Sequence, residues 1–449
     1  MKSVNIYTLG CQMNVYDSEQ ILRLLSSLGY ENEEEPENAD LIILNTCSIR
    51  QKAADKAFSF LGRIKKRKET GAGVVIGVGG CVAQQEGRQI LKRAPYVDFV
   101  FGTGAIHRLP EIVKRAESGE KLVDIDDNGD IIEPGTNGNL PDTSGSSGFV
   151  SIMRGCDNFC TYCIVPFVRG REHSRPAEDI IYEIKRRAKK GMCEVTLLGQ
   201  NVNSYGSRGG DCDFADLLYM VAEIKDIRRI RFATSHPKDL SDKLINCFSK
   251  IDKLCRHFHI PVQSGSNSVL KKMNRKYTRE HYLERINSLR KVCPDIELST
   301  DIIAGFPGET ESDFYETCDL VEQVGYDSVF AFAYSDRPGT RASSYPMKLS
   351  VEEKKKRLNE ILNIQNRITR LKNNESLGKK LEILVEKVEL KQDKDSCEGV
   401  FISGRSFGNR IVHIRENPEK YEKLKAFKGR LVYSEITEAL GHSLKGRLA

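Results

Sequence analysis

The sequence predicts an α/β protein in three parts: an N-terminal doubly wound parallel sheet, a central (β/α)6 partial barrel and a small C-terminal β-barrel. Three observations carry this expectation. Short apolar runs alternate with helical patterns before and again after a stretch rich in Gly, Ser, Pro, Asn and Asp at residues 126–148. A helical pattern over residues 349–374 then gives way to short β-patterned runs separated by glycines and charged turns. At 449 residues the chain also exceeds what one hydrophobic core supports, so two or three domains are expected.

Composition narrows the function classes. A net charge of +6 is weakly basic and by itself barely raises the prior for a nucleic-acid partner. Thirteen cysteines at irregular spacing do not read as a disulfide framework, which belongs to small secreted domains, and point to metal or redox chemistry. No window of about eighteen uninterrupted apolar residues occurs. The chain opens on a polar-flanked strand pattern in place of a charged-then-apolar leader, so no membrane and a cytoplasmic location are expected.

Residues 1–125 form the first predicted domain. SVNIYTLG, DLIILNT, GVVIGVGG and VDFVFG read as strands, with helices from about Asp17, after Arg50, near Gln85 and from about Ile106. Asp17 with Gln20 reads as a capping box that opens the first helix. The first three strands each end in a cysteine: Cys11, Cys47 and Cys81. Ligands of such sheets sit beyond the carboxyl ends of the strands, so these thiols can converge although far apart in sequence. The alternative is three unrelated buried thiols, since free cysteine often serves as a small core residue. Cys193, Cys212, Cys247, Cys255, Cys293, Cys318 and Cys397 share no motif spacing and read as core or incidental.

Residues 126–148 read as a linker or mobile loop, and 149–374 as the central domain. Its strand candidates are GFVSIM, EVTLLG, RIRFAT, HFHIPV, IELSTDIIAG and SVFAFA. Each is followed by a polar or glycine-rich segment where (β/α) barrels place active-site loops: RGCDNFCTYC, QNVNSYG, SHP, QSGS, FPGET and YSDRPGT. The first of these carries Cys156, Cys160 and Cys163 in a C-x-x-x-C-x-x-C spacing. Three thiolates so close want a metal: zinc with His173 as fourth ligand, or a four-iron cluster that keeps one iron free. His236, His257 and His259 lie near strand ends and read as hydrogen-bonded structure.

Residues 375–441 form the third predicted domain, a barrel of about five strands. Its basic residues Lys379, Lys380, Arg405, Arg410, Lys428 and Arg430, with Phe407, suit RNA, and a solvated surface on a structural cap suits them equally.

Taken together, YTLGCQMNVYDSE, LNTCSIR, GGC, RGCDNFCTYCIVP, RGREHSRP, TLLGQNVNSYG, HIPVQSGS and DIIAGFPGET resemble the methylthiotransferase family of radical S-adenosylmethionine (SAM) enzymes over essentially the whole chain. The CQMN and RGREHSRP versions are most similar to the branch that acts on dimethylallyl-adenosine beside the tRNA anticodon. Sister branches act on threonylcarbamoyl-adenosine or on an aspartate of a ribosomal protein. The resemblance implies two [4Fe-4S] clusters, an auxiliary one on Cys11, Cys47 and Cys81 and a SAM-cleaving one on Cys156, Cys160 and Cys163, which are the catalytic cysteines. It also implies SAM as a cofactor used twice, a radical SAM barrel, and a C-terminal TRAM-like RNA-binding domain. Tyr162, Gln200, Asn201, Ser235, Gln263, Asp301, Ile303, Gly305 and Pro307 are the implied SAM or substrate contacts. The implied partners are the tRNA anticodon stem-loop, an electron donor protein and a sulfur or cluster carrier. A reading of another class is a non-catalytic RNA-binding protein with structural metal sites.

Overall fold

The computed structural model describes residues 2–48, 51–70, 73–126, 145–210, 212–392 and 397–449. Most of the expected linker, residues 127–144, lies outside the described residues, and its end at 147–148 already belongs to the strand Ser147–Ser151.

The N-terminal sheet has six parallel strands in the order Tyr30–Asn32, Lys2–Thr8, Leu41–Thr46, Val75–Gly80, Phe99–Phe101 and Leu122–Asp124. Both faces are covered, which explains why the strands read as continuous apolar runs. Ile42 and Leu44 pack with Phe60 and Ile64 of the helix Gln51–Glu69. On the other face Leu41 and Ile43 join Ile21 and Leu25 of the helix Gln12–Ser26 and Ile112 of Leu109–Glu117. The short edge strands Tyr30–Asn32 and Leu122–Asp124 carry too little pattern to be read from sequence.

The first helix starts earlier than expected. It spans Gln12–Ser26 with Cys11 at its N-cap, so Asp17 and Gln20 are not a capping box but buried residues of the helix interior. The turn before it requires Gly10, whose φ is 137° and where a Cβ would stand 2.5 Å from the Cβ of Cys47. Glycine therefore decides where the helix begins.

The central domain sets six parallel strands in two halves: Ser147–Ser151, Glu194–Leu198 and Arg229–Phe232, then His257–His259, Glu297–Ala304 and Ser328–Ala333. A parallel bridge between Ile230 and Leu254 joins the halves into an open barrel. One continuous core fills it, from Val150 and Leu197 through Phe232 and Phe258 to Leu298 and Ile302.

The C-terminal unit is a closed barrel of Lys380–Gln392, Glu398–Ser406, Ile411–Glu416, Leu444–Leu448 and Leu431–Ala439 in that order. Its fourth member lies past the expected boundary at residue 441, because the strand LKGRL lacks an apolar alternation strong enough to announce itself.

This small barrel docks where the central strands begin. Arg229, at the start of its strand and 1% exposed, donates to the carbonyls of Arg405 and Glu382 at 2.9 and 3.0 Å. Arg231 binds Glu194 at 3.0 Å and the Ser406 carbonyl at 2.7 Å. In return Arg410 reaches Glu297 at 2.9 Å and Asp327 at 3.0 Å, both at strand starts. Phe407 lies 5.7 Å below the Arg229 guanidinium. Phe407 and Arg410, read from sequence as suited to RNA, are instead held in this seam between domains, whereas Arg405 gives it only a carbonyl and pairs its side chain with Glu386 at 2.9 Å. No helix among the described residues is long and apolar enough to cross a membrane.

Candidate active site

Where the central strands end, the chain gathers its polar loops. The strand Met153–Arg154 runs into the cysteine loop at Gly155, whose φ of 74° and closeness to the Arg171 carbonyl, 1.9 Å from any added Cβ, exclude a side chain. Cys156 N–H donates to the Gly170 carbonyl at 3.3 Å and Cys163 N–H to the Cys160 carbonyl at 2.9 Å. Further ties come from the far side of the barrel. Thr161 donates through its N–H to Met273 and through Oγ1 to Lys272, and Asn274 Nδ2 donates to the carbonyls of Asn158 and Phe159.

The three loop thiols share one electrostatic environment. Burial pushes Cys163 up to about 12 and raises Cys156, each further raised by Cys160. Bare thiolates at Cys156 and Cys163 are thus disfavoured, and a bound metal would be what deprotonates them. His173 is exposed in the two-residue strand His173–Ser174, and among the described residues no set of three or more His, Cys, Asp or Glu is spaced for a single ion. Three thiols on one short loop suit a cluster, whose ligands each bind a different iron.

The second trio arises from sheet topology. With strand order 2-1-3-4-5-6, the connections diverge between Lys2–Thr8 and Leu41–Thr46, and the crevice at this switch point is where Cys11 and Cys47 emerge. Cys81 follows from the next strand, as the first residue of a short helix. Cys11 is lowered to about 6, chiefly by a hydrogen bond from Cys47 and against the effect of burial, while burial raises Cys81. Asn14 fixes the crevice: its Oδ1 accepts from Cys11 Sγ at 3.3 Å, and its Nδ2 donates to Asn45 Oδ1 and the Thr46 carbonyl. That is the physical content of the asparagine in CQMN.

The RGREHSRP segment joins the two trios. Arg169 pairs with Asp17 at 2.6 Å, and its charge favours the Cys81 thiolate against the effect of burial. Arg175 binds Glu183 at 2.9 Å, the Ser151 carbonyl at 2.6 Å and Tyr16 Oη at 3.4 Å. Ile164 and Val168, just past the cysteine loop, pack directly on Cys81. Both cysteine sets therefore border one mouth.

The remaining predicted contacts are distributed around it. Gln200 Oε1 accepts from Gly155 N–H at 2.6 Å and so braces the cysteine loop. Asn201 is 1% exposed; its Nδ2 donates to Asp239 at 2.7 Å while its Oδ1 stays buried without a partner, as does Asn203 Oδ1. Two orphaned acceptors beside the loop fit a cationic donor such as the SAM ammonium. Ser235 donates its hydroxyl to the His259 carbonyl, so its oxygen is engaged within the barrel. Gln263 is buried at φ 71° with its backbone bridged to Asp301 and Ile303. Asp301 Oδ2 lies 3.6 Å from His259 Nε2. Tyr162 and Ile303 pack together on Phe306, Val269 and Tyr334. Gly305, at φ 74°, donates to Glu309, and Pro307 is buried beside it. His257 and His259 both meet Ser299 Oγ, and His236 Nδ1 accepts from Lys238 N–H, as hydrogen-bonded structure requires.

Thr234 and Arg275 at this mouth gave no signal in sequence, whereas Arg337 lies in the predicted YSDRPGT loop. Thr234 is a β-branched residue at φ 70°, a conformation that costs about 1–3 kcal/mol and gathers at functional sites. Arg337 stands near Cys47, with its charge disfavoured by burial. Arg275 touches Cys160 itself.

A six-stranded parallel partial barrel with a C-x-x-x-C-x-x-C loop at its mouth is the architecture of a radical SAM protein. Residues 150–321 match the radical SAM superfamily and residues 3–102 match uncharacterized protein family UPF0004. A tRNA-2-methylthio-N(6)-dimethylallyladenosine synthase from Desulfosudis oleivorans is 49% identical over 99% of this chain and 96% of its own length. One of the same name from Geotalea uraniireducens is 47% identical over 100% and 99%. Among solved structures, the radical SAM methyltransferase TsrM from Kitasatospora setae aligns with a TM-score of 0.57 over 76% of this chain and 77% of that one, at 13% identity. The cobalamin-dependent OxsB aligns at 0.51 over 82% and 56%, at 15% identity. Both share the fold. The chain belongs to the radical SAM methylthiotransferases, in the family of the tRNA-2-methylthio-N(6)-dimethylallyladenosine synthases.

Proposed function

We propose that this protein converts dimethylallyl-adenosine next to the tRNA anticodon to its 2-methylthio derivative, drawing on two SAM molecules. The observation that carries the reading is the convergence of two cysteine trios on one mouth, in a chain whose full-length relatives bear that enzyme name. Cys156, Cys160 and Cys163 would hold the [4Fe-4S] cluster that cleaves SAM, and Cys11, Cys47 and Cys81 the auxiliary [4Fe-4S] cluster. Bound there, these groups supply a deoxyadenosyl radical strong enough to take hydrogen from carbon 2 of adenine, and the sulfur that replaces it.

The chain's own residues bind, orient and shield. Asn201 and Asn203 offer unpaired buried oxygens to the SAM ammonium, and Gln200 fixes the loop beside it. Tyr162, Ile303 and Phe306 give the mouth an apolar wall that keeps water from a radical. The adenine has to leave its stack to enter, where stacking and edge hydrogen bonds read it.

RNA is gripped elsewhere, on a face of the terminal barrel clear of the domain seam. Phe401 is flanked by Lys391 at 5.1 Å and Arg415 at 5.8 Å, and exposed Lys387 and His413 stand on the neighbouring strands. Cations framing an aromatic ring suit phosphate and an unstacked base. An electron donor protein, a sulfur or cluster carrier and a cytoplasmic location belong to the same reading.

Substrate choice rests on chemistry. A dimethylallyl group gains from an apolar pocket at roughly 25 cal/mol per Å² buried, whereas a threonylcarbamoyl carboxylate needs a cation. Half-buried Arg337 is the one specific observation favouring the threonylcarbamoyl branch. Single-turnover reactions on anticodon stem-loops carrying dimethylallyl-adenosine, threonylcarbamoyl-adenosine or plain adenosine decide it. The dimethylallyl substrate should react fastest; preference for threonylcarbamoyl would move the protein to the sister branch.

A further inference from the structure

Among the described residues, Arg275 is a buried cation with no carboxylate partner. It is 4% exposed, yet its guanidinium meets only neutral acceptors and one thiol: Pro261 O at 2.6 Å, Tyr277 Oη at 2.9 Å, Tyr162 Oη at 3.4 Å and Cys160 Sγ at 3.5 Å. Buried Arg169, Arg175, Arg187, Arg229, Arg231 and Arg357 each reach an acidic side chain. A guanidinium left without a counter-ion in such surroundings is costly unless an anion arrives.

The backbone around it is shaped for this placement. Asn274 and Lys276, on either side, both sit at φ 61°, the left-handed region that non-glycine residues rarely adopt. Asn274 takes the left-handed conformation that asparagine commonly adopts just past a helix end, and holds the cysteine loop through the Asn158 and Phe159 carbonyls. At Lys276 the same conformation is strained, and such strain gathers where function demands a fixed geometry. The four donor contacts leave the guanidinium no other orientation.

We propose that Arg275 is a positioning residue for the barrel's iron–sulfur group: its fixed positive charge is the built-in counter-ion of the Cys160 thiolate, and it eases the one-electron reduction on which SAM cleavage depends. The proposal rests on residues 156–163 being the cluster loop. Reduction by a low-potential one-electron donor adds one negative charge and neither makes nor breaks a bond. A cation fixed at a ligand sulfur stabilises that added charge, as hydrogen bonds to cluster sulfurs do.

The test uses the full-length chain with Cys11, Cys47 and Cys81 replaced by alanine, so that one iron–sulfur group is loaded, alone and with Arg275→Met or Arg275→Lys. Iron per chain after gel filtration, the midpoint potential from a dithionite titration followed by electron paramagnetic resonance, and thermal melting are read on each. Arg275→Met should move the potential to a more negative value and weaken iron retention about 10–100-fold, as loss of an outer partner does. Arg275→Lys, which keeps the charge, should stay near the parent potential. An unchanged potential and iron content in Arg275→Met overturns the proposal, and so does a lysine variant as negative as the methionine one. Should Arg275→Met fail to fold, the lysine variant decides alone: a parent-like potential supports the proposal and a more negative one overturns it. A parent chain that takes up no iron defeats the cluster assignment itself, which is a separate and visible failure.

Discussion

Arg169 and Asp17 meet at 2.6 Å across the seam between the N-terminal sheet and the central barrel, with both side chains almost out of solvent. The arginine follows the cysteine loop of one domain, and the aspartate lies in the helix that Cys11 opens in the other. With Arg175 on Tyr16 and Ile164 and Val168 on Cys81, this ion pair helps hold the two cysteine sets against one another.

Breaking this pair should loosen the seam more than removing both members. Arg169→Met leaves Asp17 buried and uncompensated, a loss of about 3–5 kcal/mol, whereas the Arg169→Met/Asp17→Asn double variant should recover part of it. Urea unfolding of the four proteins in a double-mutant cycle gives the coupling. Strict additivity would mean the pair contributes nothing.

Cys160→Ala should abolish 5′-deoxyadenosine formation from SAM and dithionite. The residue lies in the only loop at the mouth with the C-x-x-x-C-x-x-C spacing. Chromatography of the nucleoside products measures it, and undiminished cleavage would place the SAM-cleaving centre elsewhere.

A chain with Cys11, Cys47 and Cys81 all replaced by alanine should still form 5′-deoxyadenosine but no methylthio product. These thiols come from a separate sheet with its own core. Mass spectrometry of tRNA nucleosides reads the outcome; methylthiolation in that variant would end the division of labour between the two sets.

Lys391→Glu with Arg415→Glu should weaken tRNA binding and flatten its salt dependence, since each lost phosphate contact lowers the slope of log K against log salt by about one. Arg410→Ala should act differently. It strands Glu297 in the seam, while Asp327 keeps Lys372 at 3.0 Å, so melting should fall while the salt slope stays as in the parent. Filter binding across salt concentrations, beside a thermal melt, separates the two effects.

The fold was legible where apolar runs were long and the site where motif spacing was tight. Strand ends could be read because Cys11, Cys47 and Cys81 each follow a run such as LIILNT, all of whose residues are buried. The first helix was misplaced because Asp17 and Gln20 satisfy the spacing of a cap without being one; Gly10 and its contact with Cys47 decide the start. Phe407 and Arg410 looked suited to RNA because composition cannot tell a solvent-facing turn from one pressed against Arg229 and Glu297. Arg275 sits in MNRKYT, where a basic residue between polar neighbours reads as a solvated turn. Its burial depends on long-range contacts with Pro261 and Cys160 that no local pattern encodes.

The terminal barrel is fastened where the central strands start, and the cysteine mouth opens where they finish. An RNA held by Lys391, Phe401 and Arg415 while its base enters that mouth has to travel the whole height of the central barrel between them. On the proposed reading the protein would work as a caliper. Its own thickness would set the stem length at which the right nucleotide reaches the opening, and a helix one turn too short or too long would present the wrong base however well its letters matched.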